Sequence, residues 1–275
     1  MKKGYIKIII GGVIVAIVLA LSLPSKNSKE QNVASGSFSL KEVENVFDSG
    51  DLLKARNLYQ EAGEKTGDFK KLKKIQERLE EINIKLIFSS IIDEYSTNYI
   101  VKYGDALERI AKKFGTTVNL IKKANNLPSD IIRPNQKLKI STCKFSIVVD
   151  KSQNLLFLKR GGEVIKTYIV STGKDNSTPT GVFHIANDKL IKPTWYKTGA
   201  IIPPDSPDNV LGARWMGLKG IDNGGVEIEG YGIHGTTKPN ELGKQITLGC
   251  VRMKNEDVEA LFDIVPVGSE VIIID

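Results

Sequence analysis

The sequence predicts a multidomain chain: an N-terminal transmembrane helix, a short α-helical spacer, a βααβ unit, and a mostly-β domain in the C-terminal half. Three observations carry this. An uncharged apolar run, 8–23, follows a lysine-rich start. Apolar residues then recur at the helical period, and beyond residue 144 they form short β-like runs bounded by turn residues. Finally, 275 residues is room for two or three ordinary domains.

With 41% hydrophobic and 26% charged residues the chain is globular, neither disordered nor collagen-like. Its net charge of +7 is uneven. Residues 98–140 carry nine basic and three acidic side chains, and the first thirty residues carry five and one. The segments 31–97 and 141–275 are slightly acidic. Basic character confined in this way argues against a nucleic-acid partner. Cys143 and Cys250 are the only cysteines and His184 and His234 the only histidines. That set is too small for a disulfide scaffold or a structural zinc site, so no metal is expected.

Each element follows in order. Lys2, Lys3 and Lys7 precede the apolar run, and Tyr5–Ile6 lengthen it to about twenty residues, enough to span a bilayer. The segment 5–24 therefore reads as a membrane anchor or a signal segment. Lysines before the run orient it N-inside, with everything from residue 25 exported. Ala20-Leu21-Ser22 is a tolerable cleavage site, but Leu23-Pro24 after it suits cleavage poorly, which favours a retained anchor. Residues 25–37, rich in Ser, Asn, Lys and Gln, read as a flexible linker.

The segment 38–97 shows Leu40, Val43, Phe47; Leu52, Ala55, Tyr59, Ala62; and Leu72, Ile75, Leu79, Ile82, Leu86 at helical spacing. Gly50-Asp51 and Gly67-Asp68 punctuate it into two or three helices. One stretch faintly resembles a tetratricopeptide unit, but one unit cannot build a solenoid, so a helical spacer is expected.

Residues 98–141 begin with a strand at Tyr99–Lys102 and a turn at Gly104-Asp105. Two helices follow (Leu107, Ile110, Ala111, Phe114; Val118, Ile121, Ala124), and Lys137–Ile140 alternates as a closing strand. The pattern Tyr99-x-Val101-Lys102-x-Gly104-Asp105-x-Leu107-x-x-Ile110-Ala111, with Asn125-Asn126-Leu127 and Pro134-x-Gln136-x-Leu138, resembles a LysM module over its whole length. Ala106 departs from it, standing where the family usually has Thr. The resemblance implies binding to N-acetylglucosamine-containing glycans, here peptidoglycan glycan strands.

Residues 144–275 are predicted mostly β, with runs at 145–149, 155–158, 164–170, 181–185, 226–228 and 271–274 and a hairpin turn at Gly161-Gly162. A helix begins near Asn255, which can cap it, with Glu256 and Asp257 in its first turn. Just upstream lies Thr247-Leu248-Gly249-Cys250-Val251-Arg252-Met253, and before that His234-Gly235-Thr236. A thiol is a poor nucleophile at neutral pH unless a base takes its proton, and His234 is a candidate. Gly249 lets the backbone approach closely, so that amides near Gly249 and Cys250 can receive an oxyanion. Arg252 supplies a fixed charge for the thiol or for a substrate carboxylate. On chemistry alone the pairing stays open, because buried cysteines are common.

The constellation His234-Gly235-Thr236 … Thr247-x-Gly249-Cys250-x-Arg252-Met253-x-x-x-Asp257-Val258 is similar to that of L,D-transpeptidases with a YkuD-type catalytic domain. Ser171-Thr172-Gly173 and Thr178-Pro179-Thr180-Gly181-x-Phe183 also resemble segments of that family. Many members have a second His where this chain has Leu248, which removes any catalytic role there, and Thr247 replaces the commoner Ser. The resemblance implies Cys250 as nucleophile, His234 as its base and the Gly235 carbonyl as the group orienting the imidazole. It also implies Gly249, Arg252, Tyr231 and Thr247 as oxyanion or substrate-binding residues.

A peptidoglycan stem peptide would then be the acyl donor, a Cys thioester the intermediate and a 3→3 cross-link the product, with no cofactor. Carbapenem-type β-lactams would be inhibitors, and the exported catalytic domain would work in the cell-wall space. Water as acceptor would make the chain an L,D-carboxypeptidase. A non-catalytic LysM wall-binding protein is the alternative of a different class. On this reading Cys250 holds more thiolate at neutral pH than Cys143, which has no motif around it. Trp195, Tyr196, Trp215 and Met216 lie in a long stretch, 187–225, expected to be irregular, as cleft roof or as core. His184 reads as structural.

Overall fold

The computed structural model describes residues 6–10, 13–17, 39–197 and 199–275, the first two segments and Lys197 through their backbone alone. The linker expected at 25–37 lies outside them. The chain divides into two compact units, Met1–Leu86 and Ile87–Asp275.

In the first unit, β1 (Ile6–Ile10) and β2 (Val13–Ile17) pair antiparallel, Ile10 opposite Val13. At 6–10 and 13–17 strands thus stand where the transmembrane helix was expected, and the rest of the segment 5–24 lies outside the described residues. The two strands are dominated by β-branched Ile and Val, which favour extended backbone. Among the described residues no helix is long and apolar enough to cross a membrane. Three helices follow: α1 (Leu40–Asp48), α2 (Leu52–Lys65) and α3 (Phe69–Ile87). Ser39 caps α1 in a reciprocal box with Glu42. Glu44 on α1 joins the helices, accepting from the Tyr59 hydroxyl on α2 at 2.5 Å and from Arg78 on α3.

The second unit opens with the βααβ unit: β3 (Ser96–Ile100), α4 (Leu107–Phe114), α5 (Val118–Ala124) and β4 (Lys137–Ser141), β3 and β4 antiparallel. Val101, Leu107, Ile110, Ile121, Leu138 and Ile140 form its core. The motif residues are the connectors. Asp105 accepts from the Tyr99 hydroxyl and the Lys102 N–H, both at 2.8 Å, which holds the turn at Gly104. The Asn125 amide bonds both backbone groups of Lys139, tying α5 to β4. Gly115, at φ 64°, closes α4 in the left-handed region.

The rest is built on β5 (Phe145–Asp150), β6 (Leu155–Arg160), β7 (Glu163–Ile169), the short β8 (Thr172–Gly173), β9 (Gly181–Ile191), β10 (Trp195–Lys197), β11 (Ala200–Ile202), β12 (Arg214–Asp222), β13 (Glu227–His234), β14 (Gln245–Thr247), β15 (Val251–Arg252), α6 (Asn255–Ile264) and β16 (Glu270–Ile274). Eight strands make one sheet in the order β15-β13-β12-β9-β16-β5-β6-β7. Its pairs are antiparallel except β13/β15 and β16/β5. Gly161 and Gly162, both at positive φ, turn β6 into β7. Ile147, Leu156, Phe183, Met216 and Ile233 are buried along the sheet, and Val258 and Leu261 on α6 are fully buried.

The stretch 187–225 is more regular than its sequence predicts. The end of β9, the β10/β11 hairpin and all of β12 lie within it. Asn187, Asp188 and Lys189 interrupt the apolar alternation, so only strand pairing reveals the extended backbone.

The LysM-like unit is tied to the mostly-β domain at two places. Asp93, just before β3, pairs with Arg160 on β6 at 3.0 Å, both side chains buried. At the other, Asp263 on α6 accepts from the Asn119 amide at 2.8 Å and pairs with Lys123 at 2.5 Å, while its carbonyl accepts from the Thr117 hydroxyl.

Candidate active site

The parallel register of β13 and β15 assembles the site. Ile233 lies opposite Val251, and His234 opposite Arg252. Side chains alternate across a sheet, so buried Ile233 and Val251 share the core face. His234 and Arg252 then share the other, and Cys250 stands immediately before β15. His234 and Arg252, far apart in sequence, are thus brought together because two short strands run in one direction.

His234 is 3% exposed, and its Nδ1 lies 2.7 Å from the Gly235 carbonyl. A carbonyl only accepts, so in the neutral ring Nδ1 carries the proton, and the Leu211 backbone also interacts with the imidazole. Burial, with a lesser push from the Arg252 charge, lowers the imidazole pKa to about 4. Burial also raises the Cys250 thiol, against smaller downward pulls from the Gly232 backbone and Arg252. The resting pair is therefore neutral thiol and neutral imidazole. Both shifts run against the thiolate-rich Cys250 expected from the sequence, because desolvation outweighs the nearby Arg252 charge.

The loop before Cys250 is held by its own hydroxyl. Thr247 Oγ1 donates to the Cys250 carbonyl at 2.7 Å and accepts the Gly249 N–H at 3.1 Å. That N–H is thereby committed, which corrects its expected role as an oxyanion donor alongside Cys250. Gly249 sits at φ +132°, and any side chain there would collide with the Tyr231 ring. Arg252 is 12% exposed and donates to Glu241 at 2.7 Å, so its charge arrives already paired. Leu248 is 92% exposed beside the nucleophile position.

Two supporting residues were not legible as such. Trp215, the cross-strand partner of His234, stacks on the imidazole with centroids 5.9 Å apart, and its indole N–H donates to Asp188 at 2.9 Å. Asn255, expected to cap α6, does not: Lys254 holds the cap position without a side-chain bond. The Asn255 oxygen accepts instead from Ala213 and Thr236, at 3.0 and 3.1 Å, bracketing the turn after His234. His184 lies exposed on β9, opposite Lys219 and Glu270. Among the described residues no group of acidic, His and Cys side chains could hold a metal ion.

A family model described as the L,D-transpeptidase catalytic domain, YkuD, matches residues 144–273, and one for the LysM domain matches residues 99–141. YqjB of Bacillus subtilis, named an L,D-transpeptidase, is 41% identical over 130 residues, which cover 47% of this chain and 70% of that protein. YkuD of the same organism, also so named, is 32% identical over 182 residues, covering 64% of this chain and 97% of the relative. The chain belongs to the YkuD-type L,D-transpeptidase family. YkuD of Bacillus licheniformis is 33% identical over 181 residues, 63% of this chain and 96% of that one. Within this L,D-transpeptidase family member the N-terminal match is the LysM module, and the catalytic-domain match spans every residue of the site above.

Proposed function

We propose that the protein is a cysteine-dependent L,D-transpeptidase that takes a peptidoglycan stem peptide as acyl donor and forms 3→3 cross-links in the cell-wall space. The observation that supports this reading is the β13/β15 register, which brings Arg252, two residues after Cys250, opposite a buried His234 whose Nδ1 is held by the Gly235 carbonyl. Cys250 Sγ adds to the donor carbonyl while its proton passes to His234 Nε2. The C–N bond then breaks, the leaving amine takes that proton, and a thioester remains. An amine of a second stem attacks the thioester, gives its proton to His234, and the thiol re-forms. The LysM module would hold glycan strands, and its basic surface adds a screened attraction to an anionic wall.

The test is mass spectrometry of muropeptides after incubation of the full chain with a disaccharide-tetrapeptide. Cross-linked dimers are expected. Tripeptides alone would mean that water is the acceptor, and an unchanged substrate would leave a wall-binding protein. A carbapenem should add one covalent adduct to the wild type and none to Cys250→Ser.

A further inference from the structure

Beside the nucleophile lies a buried hydroxyl that this chemistry has not used. Thr178, between β8 and β9, is 1% exposed. Its Oγ1 accepts the Gly173 N–H at 2.7 Å and lies 2.7 Å from the Gly249 carbonyl oxygen. A hydroxyl has one proton to give, and a carbonyl can only accept, so the Thr178 proton goes to Gly249. That carbonyl belongs to the peptide joining Gly249 to Cys250. A trans peptide is planar with its C=O and N–H pointing opposite ways, so whatever holds the carbonyl also aims the Cys250 N–H.

The neighbouring contacts leave the Cys250 amide available as a donor. The Gly249 N–H is taken by Thr247, while among the described residues the Cys250 N–H has no hydrogen-bond partner. Thr178 is itself anchored. Lys151, 3% exposed, donates to its carbonyl at 2.8 Å and pairs with Asp275 at 2.9 Å. The three backbones touch: a Cβ on Gly173 would lie 2.6 Å from the Thr178 nitrogen and 3.0 Å from the Gly249 Cα.

We infer that Thr178 is a positioning residue whose hydroxyl fixes the Gly249–Cys250 peptide plane, so that the Cys250 N–H meets the oxyanion formed when the sulfur adds to a carbonyl. The inference rests on the reading of Cys250 as nucleophile. When Sγ adds, the carbonyl π pair moves onto oxygen, and the amide stabilises that charge until the C–N bond breaks.

The experiment compares two reactions of Cys250 in the full chain. Acylation by imipenem opens a lactam carbonyl and needs the oxyanion site. Alkylation by iodoacetamide displaces iodide at a saturated carbon and does not. Thr178→Val should slow acylation roughly tenfold or more while leaving alkylation unchanged, and Thr178→Ser should restore acylation. Equal acylation in wild type and Thr178→Val overturns the inference. So does a parallel fall in both reactions, or a serine variant that does not recover. Should the valine variant fail to fold, Thr178→Ala takes its place with the same expected split. A wild type that is alkylated but never acylated overturns the nucleophile reading itself, a separate outcome.

Discussion

The indole of Trp215 stacks on the imidazole of His234, with 5.9 Å between ring centroids and 24° between planes. On the proposed mechanism the imidazole, neutral at rest, becomes a cation when it takes the Cys250 proton, so the electron-rich indole face would favour the reacting state over the resting one. Trp215→Leu should lower kcat roughly 2- to 30-fold with KM little changed, the range of a cation–π contact. Trp215→Phe keeps a ring face and should lose less, although it forfeits the bond to Asp188. Equal losses in the two variants would remove the electrostatic explanation and leave packing alone.

The pKa of about 4 for His234 has a consequence for stability. An unfolded histidine titrates near 6.5, so between the two values the unfolded chain binds more protons than the folded one. The buried neutral imidazole therefore costs nothing above the unfolded value. As pH falls from 6.5 through 4, it withdraws about 3 kcal/mol of folding stability. Denaturant midpoints of wild type and His234→Gln, followed from pH 7 to pH 4, should diverge by that order, the wild type losing more. Parallel curves would assign the acid loss to other groups.

For Cys250 the sign is opposite, since burial raises the thiol. In a Cys143→Ser background, alkylation by iodoacetamide plotted against pH should have its midpoint above the ordinary thiol value of about 8.5. Arg252 pulls the thiol downward, so Arg252→Gln should move that midpoint higher still. A midpoint at or below the ordinary value would show that the resting enzyme already holds a thiolate.

The LysM unit was legible because its turns carry their own chemistry. Gly104-Asp105, Gly115 and Asn125 each perform locally the job their residue type implies. The motif around Cys250 and His234 was legible as a family pattern, and its Arg252 lies opposite His234 in one parallel strand pair. What the sequence hid was either long-range or ambiguous in length. Asn255 is a good cap by type, and nothing local says that its oxygen crosses to Ala213 and Thr236. Thr178 stands among turn residues, and its bond to Gly249 spans seventy-one positions. A hydropathy count does not distinguish one apolar helix from apolar strands, and the Ile and Val of 6–10 and 13–17 favour the strands.

Ala106 offers a direct measurement of one departure from the family pattern. It occupies the N-cap of α4 with extended backbone and makes no side-chain cap bond. Ala106→Thr places a hydroxyl where the first-turn N–H groups lack a side-chain acceptor, and should stabilise the chain by about 1 kcal/mol. A denaturant midpoint that does not rise would mean that solvent already satisfies that turn.

Asp263 is the point where the two modules of the second unit depend on one side chain. It is 4% exposed, and it accepts from Asn119 and pairs with Lys123, both on α5. It also faces Lys189, whose amine donates to the Phe262 and Val265 carbonyls and whose pKa burial lowers to about 8 against the Asp263 charge. Removing the carboxylate therefore acts on both sides: α5 loses its partner, and the Lys189 pKa falls further. Asp263→Ala should loosen the LysM module while leaving the β13/β15 register, which Asp263 does not touch. Limited proteolysis should then cut near Thr142–Lys144, the strand junction between the modules. Cross-linking of a soluble disaccharide-tetrapeptide should be preserved, and activity on insoluble peptidoglycan should drop, because a glycan held by a detached module no longer presents its stem at a fixed place. Asp263→Asn keeps an acceptor for Asn119 but not the charge for Lys123, and should fall between the two. Equal losses on the soluble and insoluble substrates would show instead that Asp263 supports the catalytic domain through α6, with the LysM contact incidental.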